Sequence, residues 1–139
     1  MKYIQINNDG TPIYSNTEGK LVKIGLLKKG LIYPRIKENG KYSELQFGEK
    51  KVYVLESATT PIYQAVFDLP KNKDSEGTIQ LQQNTNVYQD NSFNDSFGEI
   101  FSGQTVEYYQ ILEDCYVINY LGRIGYINKE DITQKSDEE

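Results

Sequence analysis

The sequence predicts an all-β protein made of two small modules in tandem, and three observations carry that prediction. Short runs of alternating, β-branched and aromatic residues recur between glycine-containing turns. No segment sustains the three-to-four-residue apolar spacing of an amphipathic helix. The order of landmark residues also repeats about half a chain apart. Tyr3-Ile4-Gln5-Ile6 and Tyr14 are echoed by Thr78-Ile79-Gln80-Leu81 and Tyr88, and Gly25 and Gly30 by Gly98 and Gly103. Tyr42 is matched by Tyr116, Gly48 by Gly122 and Tyr53 by Tyr126, every pair lying 73 to 75 positions apart. The modules are placed at 1–56 and 78–133, joined by a partly packed linker, 57–77, and followed by a frayed tail, 134–139.

In the first module, Leu31-Ile32-Tyr33 leads into Asn39-Gly40, a pair that tolerates positive φ at both positions and so signals a hairpin. Along Lys41 to Phe47 the two-residue period sets Ser43, Leu45 and Phe47 on one face, expected to be core, and Tyr42, Glu44 and Gln46 on the other. A turn at Gly48-Glu49 returns the chain as Lys51-Val52-Tyr53-Val54-Leu55. Between the modules, Pro61 to Leu69 carries Ile62, Tyr63, Val66 and Phe67 and is expected to pack, whereas Lys71 to Gly77 has no apolar side chain and reads as a loop. The second module follows the first: Thr105 to Leu112, a turn at Glu113-Asp114, Tyr116 to Leu121, a turn near Gly122-Arg123, then Ile124 to Ile127. Roughly 55 residues per module suits a small, strongly bent β-barrel, a size at which a core is only just sufficient.

Composition excludes several kinds of chemistry. There is no histidine and no tryptophan, and the single cysteine is Cys115. Histidine-based triads, Cys/His zinc sites and disulfide frameworks are therefore impossible within one chain, and no cofactor or metal is implied. A net charge of −5 is opposite to what phosphate-backbone binding demands, so nucleic acid is not an expected partner. No run approaches the roughly 18 apolar residues of a membrane span. The first ten residues turn polar too soon to supply the apolar stretch of a secretory signal, although an excised piece of an exported protein would read the same way. Charge is unevenly shared. Residues 1–56 hold ten Lys/Arg against six Asp/Glu, residues 78–139 three against eleven.

Lys23-Ile24-Gly25-Leu26-Leu27-Lys28-Lys29-Gly30, Asn39 to Gly48 and Val52-Tyr53-Val54 together resemble the bacterial SH3-like (SH3b) domain. The second copy matches it through Phe97 to Gly103, Tyr116 to Gly122 and Gly125-Tyr126-Ile127. The spacing is similar to that of tandem repeats in secreted Bacillus-type cell-wall enzymes. That resemblance implies two small SH3-like β-barrels in tandem, forming a non-catalytic cell-envelope module that binds cell-wall peptide or glycan for an attached or parent enzyme. If the chain belongs to a larger exported protein, it would be secreted or held in the wall. The alternative is a protein-interaction or spacer module taking an extended peptide or another domain of its parent.

Tyrosine is over-represented, 12 of 139 residues, and offers rigid contact area with a hydroxyl, which suits a partly wet groove for a peptide or glycan. The ligand-binding candidates are Tyr14, Tyr33, Tyr42 and Tyr53 in the first module and Tyr88, Tyr116 and Tyr126 in the second, with Tyr42 foremost because alternation points it away from the core. A tyrosine in so small a fold can equally serve the core. Asp90 to Asp95 superficially resembles a calcium loop, but Asp95 stands where the turn glycine belongs, and Phe101 where the bidentate Glu does, so it reads as a polar turn. Glu113-Asp114 reads as a solvated turn and Cys115 as an inert thiol. Lys20, Lys23, Lys28, Lys29, Lys37, Lys41, Lys50 and Lys51 suit either attraction to an anionic wall polymer or protection of a sheet edge. No convergent nucleophile, base or metal set is present, so no enzymatic activity is expected.

Overall fold

The computed structural model describes residues 3–48, 50–63 and 75–133. The first repeat runs β1 (Tyr3–Ile6), β2 (Thr11–Thr17), β3 (Lys20–Leu27), β4 (Ile32–Pro34), β5 (Lys37–Asn39), β6 (Tyr42–Phe47) and β7 (Lys50–Leu55). A 3-10 turn, Glu56–Ala58, then leads to β8 (Thr59–Ile62). The second runs β9 (Gly77–Gln80), β10 (Thr85–Tyr88), β11 (Ser96–Ile100), β12 (Thr105–Ile111), β13 (Cys115–Tyr120), β14 (Arg123–Asn128) and the one-turn helix α1 (Glu130–Thr133). The protein is all-β.

Strand pairing differs from two separate closed barrels. A three-stranded sheet has the order β4-β1-β8, and an eleven-stranded sheet the order β5-β6-β7-β2-β3-β11-β10-β14-β13-β12-β9. Among the described residues no barrel closes: both strand orders are open, and the ladder of the first repeat continues into the second through β3 and β11. Of the linker, Pro61-Ile62 lies in β8 on β1, and Tyr63 is 67% exposed. The rest of 57–77 up to residue 74, and the tail 134–139, lie outside the described residues.

The β3–β11 ladder is symmetric under exchange of the repeats. Gly25 pairs with Ile100, Leu26 with Glu99 and Leu27 with Gly98. Adding 73 converts Gly25 to Gly98, Leu26 to Glu99 and Leu27 to Ile100, so each residue faces a position whose own equivalent it is. A pseudo-two-fold axis therefore passes between Leu26 and Glu99. Two further bonds obey it: the Lys28 amide donates to the Phe97 carbonyl at 3.0 Å, and the Phe101 amide to the Ile24 carbonyl at 2.8 Å. The backbones approach so closely that a Cβ on Gly25 would lie 2.5 Å from the Glu99 carbonyl oxygen, and one on Gly98 closer still to that of Leu26. Gly98 also sits at φ +143, where L side chains are strained.

Within each repeat the expected hairpins form to within one residue. β6 and β7 pair from Tyr42 opposite Leu55 to Phe47 opposite Lys50, and β13 and β14 from Cys115 opposite Asn128 to Tyr120 opposite Arg123. Ser43, Leu45 and Phe47 are buried as alternation requires, while Glu44 is buried too, as is the equivalent Val117. The pairing also corrects the alignment of the repeats. Glu44 faces Tyr53 and Val117 faces Tyr126, so the counterpart of Tyr42 is Cys115 and not Tyr116, and Leu121 rather than Gly122 is the counterpart of Gly48. The hairpin between β2 and β3 turns at Glu18-Gly19, both with positive φ (54 and 84), as a two-residue connection demands. Both β2 and β10 carry a bulge at equivalent places, Ile13/Tyr14 and Val87/Tyr88.

A single hydrophobic cluster serves both repeats. At its centre Tyr33 meets Tyr120 (6.0 Å between ring centroids) and Phe97 (6.1 Å), and Tyr120 meets Phe97 (5.6 Å) and its own counterpart Phe47 (6.5 Å, perpendicular). Arg123 stacks over Phe97 at 4.7 Å and donates to the Ile32 carbonyl at 2.9 Å, tying the second repeat to the first. The hydroxyls of Tyr33 and Tyr120 are buried without a hydrogen-bond partner among the described residues, and burial pushes both phenols well above the ordinary tyrosine range.

Two outcomes follow from this packing. Gly98→Ala is expected to destabilise the chain by about 3 kcal/mol or more, because backbone and φ both reject the methyl, and Gly10→Ala, with open space around it, by only about 1 kcal/mol; denaturant unfolding measures both. Tyr120→Phe is expected to leave stability unchanged or raise it by about 1 kcal/mol at neutral pH, since it removes an unsatisfied hydroxyl. In the unfolded chain Tyr120 ionises near pH ~10, whereas the folded chain keeps it protonated, so unfolding releases a proton and stability falls as pH rises beyond that point. The variant should lose less stability between neutral and alkaline pH than the parent does.

Candidate ligand-binding face

Three of the seven candidate tyrosines come together. The β2–β7 register sets Tyr14 opposite Tyr53, and the β6–β7 register sets Tyr42 diagonal to Tyr53 on the same face. Tyr42 stands edge-on to both, 6.2 Å and 76° from Tyr14, 6.3 Å and 74° from Tyr53. All three are half-buried, so their rings support one another while part of each remains at the surface. Beyond Tyr14, the β2–β3 hairpin adds Lys23 directly opposite it and Leu21 two positions on, both exposed. The hairpin tip is held by the Asn16 side-chain oxygen, which accepts from the Gly19 amide at 3.1 Å.

The remaining four candidates divide differently. Tyr88 and Tyr126 pair across β10 and β14 as Tyr14 and Tyr53 do, but the third ring is Phe93, 5.3 Å from Tyr88 and presented by a turn at φ 60. Tyr116 lies on the other face, 5.7 Å from Tyr108 and beneath the Lys129 ammonium at 5.9 Å. Tyr33 is wholly buried and presents nothing to a ligand. Expected among the ligand-facing tyrosines, Tyr33 is instead turned by strand β4 into the cluster shared by the two repeats.

The polar candidates also find their places. Asp90 accepts from both the amide (3.0 Å) and the hydroxyl of Ser92, and these bonds hold its carboxyl below the usual range, so Asp90 to Asp95 is a self-satisfied turn. Among the described residues no group of three or more acidic or cysteine side chains is gathered to hold a metal, and no helix is long and apolar enough to cross a membrane. Glu113 and Asp114 are exposed, as are all eight candidate lysines, which lie on β3, β5 and β7 and in the turns that follow β3 and β5. Sequence reasoning missed two basic side chains that matter. Arg35, buried at the corner between β4 and β5, contacts Glu56 (3.2 Å), Glu38 (3.3 Å) and Ser43 (3.4 Å). Arg123 and Lys50 occupy equivalent places 73 apart and both reach into the opposite repeat, a correspondence the aligned hairpins already contained.

No family model, curated protein or solved structure matches the chain.

Cys115 is fully buried, and burial first, then the Asp114 charge, pushes its thiol upward. Alkylation by iodoacetamide at neutral pH should therefore be at least about tenfold slower in the folded chain than in denaturant. Equal rates, followed by mass spectrometry, would contradict this environment.

Proposed function

We propose that the chain is a non-catalytic binding module of the cell envelope, composed of two SH3-like repeats, that recognises cell-wall peptide or glycan for an attached or parent enzyme. The observation that carries this reading is the Tyr14–Tyr42–Tyr53 cluster, a half-exposed aromatic surface of the kind that grips an extended polar polymer. Two features of the first repeat support the SH3-like description. Its chain passes from the three-stranded sheet to the larger one at the β4–β5 corner, and a 3-10 turn separates its last two strands. In this reading the module works outside the cell as part of an exported protein, and its exposed lysines add an attraction to anionic wall polymers that salt weakens. A second reading, capture of an extended peptide or another domain of the parent protein, is favoured by Leu21, 40% exposed on the hairpin beside Tyr14, and by Val22, 46% exposed on the hairpin's other face.

The test is co-sedimentation of the intact chain with insoluble cell walls, with and without teichoic acid, at low and high salt. Binding that persists at high salt and weakens about tenfold in a folded Tyr42→Ala variant is the expected outcome. Binding lost wholly to salt reduces the interaction to charge attraction. If nothing sediments under any condition, wall recognition is wrong and the peptide reading replaces it.

A further inference from the structure

The pseudo-two-fold axis creates two equivalent junctions, at each of which the tip of one repeat's second hairpin leans on the other repeat. At the first, the β13–β14 turn meets β4. Pro34 fills the space so tightly that a Cβ on Gly122 would lie 2.6 Å from its ring, and the cavity left there is about 160 Å³. The basic residue of this junction, Arg123, is turned inward, where it donates to the Ile32 carbonyl and lies over the rings of Phe97 and Tyr33.

At the second, the β6–β7 turn meets β12, and the same positions are differently furnished. Glu107 stands where Pro34 does, and the cleft opens to about 400 Å³, within the usual range for small-molecule sites. Lys50 takes the place of Arg123, and its ammonium donates to the Gln104 side-chain oxygen at 2.8 Å and lies 5.8 Å from the Phe47 ring. An ammonium has three donors, and Gln104 uses one. Although the side chain as a whole is exposed, the partial burial of the ammonium against the cleft lowers the Lys50 pKa. Glu107 is half-buried, and among the described residues its carboxylate takes part in no hydrogen bond or ion pair. Gly48 touches it only in passing, since a Cβ there would be 3.7 Å from its Cγ. Two opposite charges thus line one cleft without neutralising each other, with Thr105 at its rim.

We propose that this cleft binds a small zwitterion, an α-amino acid or a short peptide bearing both ammonium and carboxylate. Lys50 receives the carboxylate and Glu107 the ammonium. The site is built jointly by the two repeats and is independent of the tyrosine face, so it stands whether or not the chain binds cell walls.

The experiment is an NMR titration of the intact chain with L-alanine, D-alanine, L-lysine and alanyl-alanine, and with N-acetyl-alanine and alanine amide, which each lack one charge. Zwitterions are expected to shift the amides of Gly48, Gly103, Gln104 and Thr105, and each singly charged analogue to bind at least about tenfold more weakly. The free amino acids and the dipeptide distinguish a metabolite site from a peptide site. Glu107→Gln should abolish discrimination against N-acetyl-alanine and Lys50→Gln discrimination against alanine amide, Lys50→Arg should retain both, and Tyr42→Ala should leave the titration unchanged. Folding of every variant is read from the same spectra. Saturating concentrations that shift no cleft amide, singly charged analogues that bind equally well, or undiminished discrimination against N-acetyl-alanine in folded Glu107→Gln would overturn the proposal.

Discussion

Everything in this molecule depends on how closely two strands approach at one place. Gly25 and Gly98 each let the carbonyl of the opposite repeat occupy the space a side chain would need, and from that contact the β3–β11 ladder propagates outward in both directions. It determines that Tyr33, Phe97 and Tyr120 share one cluster, that Arg123 reaches the Ile32 carbonyl, and that each second hairpin lies against a strand of the other repeat. An interface made of backbone at this separation has no tolerance for slippage, because moving either strand by one residue would bring a side chain where only hydrogen fits.

Much of the strand pattern was legible because alternation and turn chemistry are local. Ser43, Leu45 and Phe47 read as core, and the turn at Gly48 appears where expected. The repeat was legible too, but not its consequence: matching glycines show that two segments are alike without showing that they meet. The same ambiguity misaligned Tyr42 with Tyr116. Aromatic identity suggested that match, whereas cross-strand pairing to Tyr53 and Tyr126 gives Cys115. Tyr33 was misplaced for a related reason. Its environment is supplied by Phe97 and Tyr120, more than sixty residues away, and nothing in Leu31-Ile32-Tyr33 announces them.

The aromatic face and the junction cleft show two ways in which duplicated structure diverges. On the face, the first repeat assembles three tyrosines where the second keeps two and recruits Phe93. At the junctions, one side is closed by Pro34 and the other left open with Glu107. In both cases the backbone is preserved and the difference lies in a few side chains, which is how a scaffold fixed by packing leaves room for recognition.

The symmetric ladder also limits how such units combine. Because β3 and β11 satisfy each other's open edges through equivalent surfaces, the association is isologous and complete with two repeats. A third copy of the repeat has no free β3 to meet. Longer arrays of this unit would therefore grow by whole pairs, each a self-contained block, and a chain carrying an odd repeat would present one unpaired glycine-bearing strand to whatever neighbour it met.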